Sequence, residues 1–148
     1  MQRESVFAFP PAAGRSIRDS ENVPPVIAAR WLKPPRGWCK PNDVGAVARG
    51  SGMTACGGVV RDEEGNWLIG FSRKLGVCLI LEAELWGLYE GLLAAWSINI
   101  RYLIIESDNL EAVKLLNNRN GLSIFPSIVH YIVEIMKRPW TTKLFHIG

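Results

Sequence analysis

Cysteine is scarce. Three residues, Cys39, Cys56 and Cys78, are spread through 148 positions with no Cys-x-x-Cys pair among them. An odd, dispersed set makes no disulfide framework and lacks the spacing of a structural zinc site, so a reducing, intracellular compartment is expected. No apolar run approaches the ~18 residues a membrane-crossing helix needs, which argues against a membrane partner. The opening MQRESVFAFP has no long apolar segment of the secretory kind, so export is not expected. There is no internal repeat. Neither sign of charge dominates, since 17 basic against 14 acidic side chains leave a formal +3. That balance tolerates a polyanionic partner without identifying one.

What is present is apolar and ordered by period. Hydrophobic residues make up 48% of the chain, enough for one domain with a core. Residues 1–37 stand apart, with Pro10, Pro11, Pro24, Pro25, Pro34 and Pro35 among scattered charges, and read as a linker or disordered arm. The domain proper is expected over residues 38–148. WCKPNDVGAV has the character of a first strand, bent or at an edge near Pro41. MTACGGVVRD and NWLIGFSRKL flank EEG, a hairpin pattern. Gly57 and Gly58 inside the second strand suggest a bulge or a close backbone approach. In LEAELWGLYEGLLAAWS, Leu81, Leu85, Leu88, Leu92 and Trp96 step by four, three, four and four, one face of a helix. Gly87 and Gly91 would let another element pack closely. Residues 102–107 read as a strand, followed by the helix SDNLEAVKLLNN, which either Asp108 or Asn109 can cap and Gly121 ends. FPSIVHYIVEIMKR gives a further helix with Pro126 in its first turn, and TTKLFHI a last strand. Strands, a crossover helix and a further strand imply an α/β fold with a mixed sheet.

The stretch LIIESDN drives an apolar strand into two acids, Glu106 and Asp108. In a sheet with crossover helices, functional groups collect where parallel strands end, and Asp108 stands just past such an end. Glu84 lies at the rim of the leucine stripe, and Asp43 lies in the first strand. Three such carboxylates would repel one another unless cations lay between them. Oxygen ligands without His or Cys suit Mg²⁺ or Mn²⁺. The ordinary readings are a helix cap for Asp108, a solvated helix residue for Glu84, an exposed edge charge for Glu106 and a surface position for Glu90. Glu63 and Glu64 belong to the hairpin turn. His130, on an apolar helix, reads as a packed or hydrogen-bonded residue.

Taken in order, WLKPPRGWCKPNDVGAV, GGVVRDEEGNWLIGFSRKLG, EAELWGLYEGLLAAW and LIIESDNLEAVKLLN resemble the plant ribonuclease H-like domain, the type associated with retrotransposon reverse transcriptases, over about residues 31–148. The resemblance implies a mixed five-stranded sheet with flanking helices. It also implies two Mg²⁺ ions held by acids, and endonucleolytic hydrolysis of the RNA strand of RNA–DNA hybrids by a monomer. Glu84 in AELWGL matches the family's helix glutamate, and Asp108 in ESDN its strand-end aspartate. In the first strand the family has Asp directly before Gly, whereas here Asn42-Asp43-Val44-Gly45 puts Val44 at that position. A shift of one turns Asp43 to the other face unless a bulge near Pro41 restores it. Asp43, Glu84 and Asp108 are thus the expected metal ligands. The resemblance further implies backbone amides near Gly45 and Ala46, or Gly57 and Gly58, at the RNA 2′-hydroxyl, and Arg73, Lys74, Lys114 and Lys137 at phosphates. The family continues past its last strand into a segment with a further metal-binding aspartate and a closing helix. This sequence reaches only FHIG, so an incomplete carboxyl end is expected. The rival reading is a degenerate, non-catalytic domain of retrotransposon origin that at most binds nucleic acid.

Overall fold

Six strands and three helices follow one another in the computed structural model, which describes residues 5–8, 32–47, 52–117 and 125–148. They are β1 (Ser5–Ala8), β2 (Lys40–Val47), β3 (Met53–Arg61), β4 (Trp67–Val77), α1 (Ile80–Ser97), β5 (Tyr102–Ser107), α2 (Leu110–Asn117), α3 (Pro126–Met136) and β6 (Thr141–His146). The expected strand and helix pattern is present throughout. Gly121 and residues 9–31 of the proline-rich arm lie outside the described residues. Four arm residues add a strand, as Ser5–Ala8 pair antiparallel with β4 from Ser5↔Ser72 to Ala8↔Ile69. A free edge offers unpaired N–H and C=O groups, and the short run SVFA is a suitable occupant.

The strands run β1-β4-β3-β2, and the parallel pair β5-β6 continues from β2. A single parallel bridge, Cys39↔Leu103, makes the join. Its hydrogen bonds are Cys39 N to Tyr102 O at 3.0 Å and Ile104 N to Cys39 O at 2.9 Å. Strands β2–β6 are therefore the five strands of the expected mixed sheet. The hairpin between β3 and β4 is closed by Asp62, whose Oδ1 accepts from the amides of Glu64 and Asn66, both at 2.9 Å.

Helix α1 is the centre of the core. Leu85, Leu88 and Leu92 are almost fully buried, as the stripe requires. Asn99 ends the helix in the left-handed region at φ 66°, while Ile100 N reaches back to Ala95 O at 3.1 Å. The glycines do what their spacing suggests. A Cβ on Gly58 would collide with the Asn42 carbonyl and stand 2.7 Å from Phe71 Cζ, and one on Gly91 would lie 3.3 Å from Phe71 Cζ and 3.4 Å from Pro41 Cβ. Phe71 thus fills the space over both glycines and brings α1 down onto β2, β3 and β4. The register shifts of the β3–β4 pair fall at Thr54/Ala55 and Val60/Arg61, on either side of the glycine pair.

All three cysteines are free thiols. Burial, and then the charges of Asp62 and Glu63, push the Cys39 thiol up to about 11. No helix of the described residues is long and apolar enough to cross a membrane.

Candidate active site

Strand direction decides where the acids can meet. Strand β4 is antiparallel to β3, which is antiparallel to β2, so β4 and β2 run the same way. The Cys39↔Leu103 bridge and the β5–β6 ladder give β5 and β6 that same direction. All four strands therefore end at one edge of the sheet, and α1, which follows β4 after two residues, begins there. The chain lays β3 and β4 on one side of β2, then crosses through α1 to put β5 on the other. The boundary between β2 and β5 is the point where strand order reverses, and ligands of open α/β sheets bind at the carboxyl ends of strands at such a point.

Counted along the strand direction, the acids fall within about one residue of the same level. Gly91 of α1 packs against Pro41 of β2. From Gly91 back to Glu84 the helix covers about 10 Å toward the carboxyl edge. From Pro41 to Asp43 the strand covers about 7 Å in the same direction, and to Val44 about 10 Å. Counting from the Cys39↔Leu103 bridge, Asp43 comes level with Ser107 and Val44 with Asp108. The β2–β3 ladder is unbroken from Lys40↔Arg61 to Val47↔Thr54, so no bulge near Pro41 shifts the alternation. Asp43 stands opposite Gly58 in that ladder. The side chain of Asp43 lies outside the described residues.

Asp108 is exposed and is not the helix cap. Asn109 performs that task, its Oδ1 accepting from the amide of Ala112 at 3.0 Å, while Ser107 Oγ accepts from the amide of Asn109 at 3.1 Å. Capping of α2 therefore makes no demand on the Asp108 carboxylate. Replacing Asn109 by Ala should cost about 1 kcal/mol of stability, read as a lower urea midpoint at unchanged m-value. Glu84 is half-buried on α1. The donor set at this edge, carboxylates without His or Cys, suits a hard divalent cation. Among the described residues no three His, Cys, Asp or Glu side chains are grouped closely enough to hold a metal by themselves.

Other acids and bases depart from expectation. Glu106 is half-buried and ion-paired with Lys40 at 2.7 Å; the Lys40 ammonium also donates to the Leu32 carbonyl at 2.5 Å. Glu90 is fully buried rather than at the surface, and its partner is Arg73, at 2.9 Å. Arg73 is itself buried and stacked 4.1 Å over the Trp86 ring, so it is no phosphate contact. The sign was in the sequence: Ala83, Gly87, Glu90 and Ala94 make a second stripe with helical spacing, all of it buried. His130 is exposed, because the buried residues of α3 are Ile128, Ile132 and Ile135 and position 130 falls on the other side. Lys74, Lys114 and Lys137 are exposed, the last 3.3 Å from Glu134.

Known proteins agree with this architecture. The pattern of the reverse transcriptase-like family matches residues 42–148. An Arabidopsis thaliana protein named "Putative ribonuclease H protein" is 33% identical over 121 residues, covering 79% of this chain and 19% of its own length. The chain thus spans about a fifth of that relative. Among solved structures, ribonuclease H1 of the archaeon Halobacterium salinarum superposes with a TM-score of 0.65 at 18% identity, over 75% of this chain and 86% of its own. LC11-RNase H1, solved in complex with an RNA/DNA hybrid, superposes with a TM-score of 0.63 at 17% identity, over 74% and 85%. At those identities the likeness is one of fold. Sequence pattern, strand order and superposition agree, and the chain belongs to the reverse transcriptase-like family of ribonuclease H-like domains.

Proposed function

We propose that the domain is a divalent-metal-dependent endonuclease that hydrolyses the RNA strand of RNA–DNA hybrids, with Asp43, Glu84 and Asp108 as the metal ligands. What carries this reading is that strand and helix rises put the three positions within about one residue of a common level beside the β2–β5 reversal, with the exposed Asp108 spared from capping by Asn109. The family supports it, as does a fold relative solved in complex with an RNA/DNA hybrid. Mg²⁺ or Mn²⁺ held there would supply Lewis acidity at the scissile phosphodiester and the attacking water. The chain's own part is to hold carboxylates on three rigid elements and to present backbone amides near Gly45 and Ala46, or Gly57 and Gly58, to the 2′-hydroxyl that distinguishes RNA. Residues 38–148 would form this unit, acting as a monomer.

The test is incubation of the protein with a hybrid labelled on its RNA strand, with Mg²⁺ or with excess EDTA. Cleavage of the RNA strand alone, abolished by EDTA, is expected. Hybrid binding without cleavage at any Mg²⁺ or Mn²⁺ concentration would leave the non-catalytic reading, which Val44 in the family's aspartate position would then explain.

A further inference from the structure

The edge opposite the acids carries a different chemistry. Here α1 ends, β5 and β6 begin, and the connection from α3 arrives. Trp96 takes two guanidinium groups: Arg101 Cζ lies 3.9 Å from its ring centroid and Arg138 Cζ 5.3 Å. Trp140 meets Trp96 edge to face at 5.2 Å and is fixed by its own indole N–H, which donates to Ile135 O at 2.9 Å. The two guanidinium carbons consequently lie within about 9 Å of each other, roughly one Debye length at physiological salt. Neither has a carboxylate partner among the described residues. Arg101 donates to the Ile100 carbonyl at 2.9 Å and to Asn99 Oδ1 at 3.3 Å, both neutral acceptors.

The stretches that carry the two arginines give no counter-charge. Residues 137–148 hold Lys137, Arg138 and Lys143 and no acid, and residues 97–105 hold Arg101 and no acid. The nearest acid on α3, Glu134, is taken by Lys137. On the other side of β5, Tyr102 is 53% exposed and braced edge to face against Trp38 at 5.4 Å, with Lys143 Nζ 5.0 Å over the Trp38 ring. Guanidinium groups kept together by an aromatic ring, with neutral acceptors only, suit an anion. Guanidinium forks match phosphate, and an exposed, immobilised ring suits a base with no pairing partner.

We propose that this edge is a second nucleic-acid site, binding single-stranded nucleic acid through backbone phosphates at Arg101 and Arg138 and a base stacked on Tyr102. Arg101 is seven residues along the chain from Asp108, about 23 Å of extended strand, so the site stands clear of the carboxyl edge. It goes beyond the proposed cleavage and does not depend on it.

The test is fluorescence anisotropy of a short labelled oligothymidine, titrated with the full chain at several salt concentrations. Arg101→Gln with Arg138→Gln should lower the slope of log K against log salt by about 1.4, two single-strand phosphate contacts. Tyr102→Ala should weaken binding about tenfold while leaving that slope unchanged. Arg138→Gln alone, at an exposed position, should remove half of the slope change and guards against misfolding of the double variant. The same variants leave hybrid cleavage at the wild-type rate. An unchanged slope in the folded arginine variants, or unchanged affinity in Tyr102→Ala, overturns the proposal. A wild-type protein that binds oligothymidine as described and cleaves no hybrid counts against the nuclease reading alone.

Discussion

Asp108→Asn and Glu84→Gln should each lower Mg²⁺-dependent cleavage of a labelled RNA–DNA hybrid by at least about 100-fold, since even groups that only support a metal ligand are worth 10–100-fold. Both changes remove charge while keeping shape. Asp108→Asn is the cleaner, because the residue is exposed and Asn109 caps α2 without it, so stability should stay within about 0.5 kcal/mol of wild type. A second readout needs no substrate. A metal that binds only the folded state stabilises it by about 2.7 kcal/mol at a hundred times its dissociation constant. The wild-type melting temperature should therefore rise with added Mg²⁺ or Mn²⁺, and the rise should be lost in Asp108→Asn. Wild-type cleavage rates in either variant would remove the carboxyl edge from the chemistry.

Much of the fold was legible because it follows from period and order. The leucine stripe placed α1, the acidic turn placed the β3–β4 hairpin, and the alternation of strand and helix set the direction of β5. Together they set the elements on which positions 43, 84 and 108 stand. What was not legible turned on choices between neighbours. Asp108 and Asn109 are equally able to cap a helix. Only the backbone path, with Ser107 Oγ accepting from the Asn109 amide, selects Asn109 and leaves the aspartate outside. In β2 the question was whether Pro41 introduces an extra residue. The unbroken ladder with β3 answers it, pairing Lys40 to Val47 residue for residue with Arg61 to Thr54. The Ile128–Ile132–Ile135 spacing by itself puts position 130 on the outward side of α3, against the overall apolarity of the helix. Arg101 and Arg138 are far apart in sequence and meet only because α3 returns the chain to the start of β6.

Removing one partner of the Arg73–Glu90 pair should have the largest effect on stability of any single change described. Glu90 is fully buried, and its Oε1 lies 2.9 Å from Arg73 Nη1, while its Oε2 takes no hydrogen bond from the described residues. Arg73 is held between that carboxylate and the Trp86 ring. Breaking a buried pair leaves one uncompensated charge and typically costs about 3–5 kcal/mol, a large part of the 5–15 kcal/mol that holds an ordinary domain together. For a chain of this size Glu90→Gln or Arg73→Met should lower the melting temperature by roughly 10 °C. Replacing both at once, Arg73→Met with Glu90→Leu, exchanges the pair for apolar contact and should recover most of the loss, since such swaps are often neutral or stabilising. Single variants within about 1 kcal/mol of wild type would mean that the charges are not sequestered as described. The pair also ties α1 to β4 two turns from Glu84. The single variants should therefore lose cleavage along with stability, whereas the double variant, with the helix seated again, should regain both.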